Sequence, residues 1–157
     1  MERDGGVGHQ GLPAVYVMNG FASPFLFMSH GPSLRVLLVE DSSLLAARLA
    51  ELIRRLPDVD LIDTVDTEAE ALQRVVTSTP DVLILDLHLR TGSGFGVLRS
   101  LERLSGPRPK IIVFTNFGLP EYRRRAESFR VEAFLDKSSD YYRLPKLLSG
   151  MATEMQH

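Results

Sequence analysis

The chain has 157 residues, 44% of them apolar, with a formal net charge of -2 and no cysteine. That length and apolar share suit one globular domain with a sizeable core. The charge argues against a protein built to grip a nucleic-acid backbone, and the missing cysteines exclude thiolate catalysis, cysteine-ligated zinc and disulfide bridges.

Residues 1–33 read as a flexible N-terminal extension. Their apolar run from Leu12 to Met28 is broken by Pro13, Asn19, Gly20 and Pro24, whereas a membrane-spanning helix needs roughly 20 unbroken apolar residues. A secretory signal would open on basic residues, and this chain opens Met1-Glu-Arg-Asp4. Regular patterning starts at Leu34. Arg35 to Glu40 is a branched, unalternating apolar run of the kind that is buried on both faces of a parallel sheet. Ser42 and Ser43 can cap a helix whose apolar positions are Leu45, Leu49, Leu52, Ile53 and Leu56, and Pro57 stops it. Val59 to Val65 is a second strand. Thr67 caps a second helix with an inward stripe of Ala69, Leu72 and Val76, ended by Pro80. Val82 to Asp86 is the third strand, and a loop through Gly92 and Gly94 leads to a helix carrying Val97, Leu98, Leu101 and Leu104. Lys110 to Thr115 is the fourth strand, Pro120 to Arg130 a polar helix, and Glu132 to Asp136 a short fifth strand. Leu144, Leu147, Leu148 and Met151 mark the last helix.

Five strands alternating with five helices define an α/β fold with a doubly wound parallel sheet and helices on both faces. Right-handed crossovers favour the flavodoxin-like strand order 2-1-3-4-5. The domain is expected over residues 34–152 with a tail at 153–157, and it is expected to stand alone, with no output module attached.

Ligands of such sheets bind at the carboxyl ends of the strands. Those ends carry Glu40 and Asp41, then Asp86, Thr115 and Lys137. Three acids held together repel one another unless a cation neutralises them. Hard oxygen donors of this kind suit Mg²⁺, beside which an aspartate can act as a nucleophile toward phosphorus. Thr115 and Lys137 are then placed to bind phosphoryl oxygens. Taken singly, each residue reads as a cap, a strand former or solvated surface. Their joint placement at four strand ends carries the inference. The Arg123, Arg124, Arg125 and Arg130 group reads as a solvated helix face balanced by Glu121 and Glu127.

The segments Leu38-Val-Glu-Asp-Ser42, Asp86-Leu-His-Leu-Arg90 with Gly94, Phe114-Thr-Asn116 and Phe134-Leu-Asp-Lys137 resemble the receiver domains of bacterial response regulators. The likeness covers about Leu34 to Met151. It implies that Asp86 is the phosphoryl acceptor and Asp41 a direct Mg²⁺ ligand. Glu40 would bind through water, and the backbone carbonyl of His88 would complete the set. Thr115 and Phe134 would form the switch that alters the face of the fourth helix, fifth strand and fifth helix. It further implies a cytoplasmic signalling protein that is not an enzyme. A histidine kinase or phosphotransfer protein would be the donor, and an unidentified downstream protein the reader. The protein would be a monomer or a phosphorylation-dependent homodimer, with no membrane or direct nucleic-acid partner.

Three positions depart from the family. Arg90 stands where proline is common, and Asn116 where a small residue is usual. Ser138 stands where a proline often follows the lysine in a cis peptide. A non-proline cis bond costs about 3 kcal/mol, so either a trans bond or a strained one is expected there. The His88 side chain is expected to line the mouth of the site rather than bind metal.

Three other functions fit parts of the pattern. A haloacid-dehalogenase-like phosphatase would need its nucleophile on the first strand in an Asp-x-Asp pair. A flavin-binding module would not open its phosphate loop with Glu40 and Asp41. A receiver-like interaction domain that is never phosphorylated is kept open by the two missing prolines.

Overall fold

A computed structural model describes residues 31–157. Most of the N-terminal extension, including the broken apolar run, lies outside the described residues. The elements are β1 (Leu34–Val39), α1 (Ser43–Arg54), β2 (Val59–Val65), α2 (Glu68–Ser78), β3 (Val82–Leu85), α3 (Gly94–Arg103), β4 (Lys110–Thr115), α4 (Pro120–Glu127), β5 (Ala133–Asp136) and α5 (Arg143–Met155). The strands form one parallel sheet in the order β2-β1-β3-β4-β5, as the pattern predicts.

Alternate strand residues point to opposite faces, so the central strands feed two cores. Leu37, Val39, Leu83, Leu85, Ile111 and Val113 pack against Ala71, Val75, Leu98 and Leu101 on one side. Val36, Leu38, Ile84, Ile112 and Phe114 pack against Leu49, Ile53, Leu144 and Leu148 on the other. This double burial is why these strands show no polar alternation.

Several local expectations need correction. The buried stripe of α2 is Ala71 and Val75 with Leu72 half-buried; Ala69 is exposed and Val76 is 60% exposed. The helix starts at Glu68 with Thr67 as its cap, accepting from the Glu70 amide, as the sequence predicts; what differs is which of two apolar sets packs inward. Leu104 lies beyond α3 and is exposed. The α4 helix stops at Glu127, and Arg130 takes a left-handed φ of 57°. No peptide bond among the described residues is cis, so Lys137–Ser138 is trans, one of the two outcomes expected there.

Candidate functional site

The sheet register brings the site together. Val39 pairs with Leu85, and the Asp86 amide donates to the Val39 carbonyl at 3.0 Å, so Glu40 and Asp86 emerge side by side. Thr115 pairs with Asp136, and the Lys137 amide donates to the Thr115 carbonyl at 3.0 Å. All five predicted residues thus meet at the carboxyl end of the sheet.

Lys137 is the centre of the charge arrangement. Its Nζ lies 2.6 Å from Glu40 Oε2 and 2.7 Å from Asp86 Oδ2, with all three side chains buried. Burial alone would push the ammonium down, but the hydrogen bonds to Asp86 and Glu40 outweigh it and hold it above its ordinary value. Burial pushes the Glu40 carboxyl up, against the opposing pull of Lys137 and of the Ser42 amide, which donates at 3.0 Å. Asp86 Oδ1 accepts from the His88 amide at 3.2 Å. Thr115 is fully buried, and its hydroxyl oxygen accepts from the Phe117 amide at 3.3 Å.

Asp41 stands at the rim. Its Oδ2 is 2.9 Å from His88 Nδ1. Its partial burial acts to raise the carboxyl, but the contact with His88 outweighs this and holds it below its ordinary value. The His88 ring lines the mouth as expected, and stacks on Phe117 with centroids 6.0 Å apart. Phe117 escaped the sequence reading. Its only signal is a position two residues past Thr115, and its partner lies on another loop.

One oxygen from each of Glu40, Asp41 and Asp86 lies within 4.8 Å of the others. This donor set, all oxygen and three carboxylates, fits a hard divalent cation. The adjoining cleft of about 350 Å³ is bounded by Asp41, Asp86, His88, Asn116, Phe117 and Lys137. A larger cleft of about 570 Å³ opens at the other end of the sheet, between Leu34, Pro80, Pro107 and Met151. Its lining brings no such set of carboxylates together, so the smaller cleft is the candidate site.

Phe134 is buried in the α4 side of the core. The Arg123 guanidinium sits 4.6 Å over its ring and donates to its carbonyl at 3.2 Å. Arg125 lies 4.1 Å over Phe95. Among the described residues no ion pair joins these arginines to Glu121 or Glu127. The expected charge balance on α4 is therefore replaced, for Arg123 and Arg125, by stacking on aromatic faces.

The chain belongs to the response regulator receiver domain family, which it matches over residues 36–149. It is therefore a signalling domain of two-component systems, whose members interact with histidine kinases and downstream effectors. Among curated relatives, the sensory transduction protein LytT of Bacillus cereus is 29% identical over 112 residues, 71% of this chain and 42% of that protein. The chain thus spans less than half of that relative's length. The fold matches a DNA-binding response regulator of the LuxR family from Staphylococcus aureus, with 23% identity, a TM-score of 0.69, and coverage of 76% of this chain and 98% of that one. It also matches the response regulator domain of Thermotoga maritima CheB, with 19% identity, a TM-score of 0.67, and coverage of 80% and 98%. No helix among the described residues is long and apolar enough to cross a membrane.

Proposed function

We propose that this receiver accepts a phosphoryl group on Asp86 from a histidine kinase or phosphotransfer protein in the cytoplasm, and signals through a changed protein-binding surface. The observation that carries this reading is the buried Asp86 carboxylate, fixed by Lys137 and the His88 amide and flanked by Glu40 and Asp41. Mg²⁺ would be held by Asp41, Asp86 and the His88 carbonyl, with Glu40 acting through water; it would neutralise the acids and the incoming phosphoryl oxygens. An Asp86 oxygen forms the new O–P bond as the donor's bond to phosphorus breaks, giving an acyl phosphate. Lys137 and Thr115 supply a cation and a hydroxyl to its oxygens.

The position of the acceptor directly after β3, with His88 two residues beyond it, disfavours the aspartyl-phosphatase alternative. The chain charge of -2 disfavours direct nucleic-acid binding by this domain. Intact-mass measurement with a small phosphodonor and Mg²⁺ tests the proposal. One phosphoryl group should be gained, stable in acid and labile in base, and a chelator should abolish it. No adduct from any phosphodonor or kinase would leave the unphosphorylated interaction domain as the better reading.

A further inference from the structure

The loop between Asp86 and α3 is tied across to the turn between β2 and α2. Arg90 Nε and Nη2 form a two-pronged contact with the Asp66 carboxylate at 2.8 and 3.0 Å, and the Arg90 amide donates to the Asp66 carbonyl at 3.0 Å. One residue further on, Thr91 accepts from the Glu68 amide at 3.0 Å. The Glu68 carboxylate in turn accepts from the Ser93 amide at 2.9 Å. Glycines make room for that carboxylate. A Cβ on Gly92 would approach Glu68 to 2.5 Å, and one on Gly96 would collide with its carboxyl oxygens.

We propose that Arg90, Asp66 and Glu68 act as a brace that fixes the loop from Leu87 to Ser93, so that the His88 carbonyl is held ready for the cation. This rests on the phosphoacceptor reading above. Proline at position 90 would stiffen the chain by locking φ, but it has no amide to give Asp66. Arginine restricts the loop from outside instead, with three bonds to one residue. The Arg90–Asp66 contact is exposed, and exposed ion pairs add little to global stability. Its two-pronged geometry does constrain direction. The effect is thus local: loop order and cation affinity, rather than the melting temperature. Arg90 is a positioning residue, since its side chain is occupied by Asp66 and not by the site.

Calorimetric Mg²⁺ titration and amide exchange of residues 88–93 in metal-free full-length protein test the brace. Arg90→Gln should bind Mg²⁺ about tenfold more weakly, the low end of what loss of a group supporting a metal ligand costs, and exchange these amides faster. The exchanged pair Arg90→Asp with Asp66→Arg should recover part of both. Arg74→Gln, which removes another surface contact, to Asp63 at 2.7 Å, should change neither. If the parent binds Mg²⁺ and Arg90→Gln binds it equally with unchanged loop exchange, the brace alone is overturned. If the parent binds no Mg²⁺, the phosphoacceptor reading falls and takes the purpose of the brace with it.

Discussion

Three buried side chains, Glu40, Asp86 and Lys137, share one ammonium between two carboxylates, and this makes the metal-free site electrostatically unbalanced. For Glu40 the folded state raises the pKa above its ordinary 4.5, chiefly by burial. A raised pKa means that folding favours the protonated form. Its stabilising contribution is therefore complete below 4.5 and is lost as pH rises through the folded value. Denaturant unfolding without metal should show Glu40→Gln gaining stability relative to the parent as pH rises from 4.5 toward neutrality, while Mg²⁺ binding weakens. An unchanged difference between the two proteins across that range would mean burial does not burden Glu40. Lys137→Met should act in the opposite sense and destabilise the metal-free protein, by about 3 kcal/mol or more in denaturant unfolding, because it leaves two buried acids without their cation. At Gly94, a Cβ would meet the Asp86 carbonyl and lie 2.7 Å from the Leu87 Cα. Gly94→Ala should therefore cost about 1–3 kcal/mol in the same measurement. Glu40, Asp41, Asp86, Thr115 and Lys137 were legible in the sequence because a parallel sheet converts "last residue of a strand" into a position in space. Arg90 and Phe117 were not, since their meaning lies in partners on other loops.

Among the elements, apolar spacing located every strand and helix and the helix starts, but ran α3 and α4 too far and misjudged which side of α2 faces in. In α2 a shift of the buried stripe from Ala69 and Val76 to Ala71 and Val75 follows from two nearly equivalent apolar sets, which only packing against α3 and the sheet resolves. The α4 helix gave the weakest signal, being eight residues of mostly polar sequence with a single buried residue, Ala126. That thin anchoring suits it to move. Phosphorylation would give the Thr115 hydroxyl, which accepts from the Phe117 amide, new anionic oxygens to donate to, and Phe134 packs inside the core without a hydroxyl needing a partner. With Mg²⁺ and beryllofluoride, amide shifts are expected from Pro120 to Leu148 and to exceed those in α2. Thr115→Ala should still be phosphorylated but respond less at a distance. Shifts confined to the loops around Asp86 would contradict this coupling.

At the scale of the whole molecule, the sheet order matters because it sets β1 beside β3. That adjacency is what joins an acid pair and an acceptor although Asp86 lies 45 positions beyond Asp41. It was predictable from the count of alternating elements and the handedness of their connections. The cross-loop contacts, in contrast, depend on side-chain geometry that no periodicity encodes. The central claim is that this geometry makes Asp86, and not a neighbouring carboxylate, the phosphoryl acceptor. Peptide mapping of the adduct formed with Mg²⁺ and a small phosphodonor tests it most directly. The account predicts a single acyl phosphate on Asp86 in the parent and none in Asp86→Asn. An adduct that maps to Glu40 or Asp41, or persists in Asp86→Asn, would contradict it.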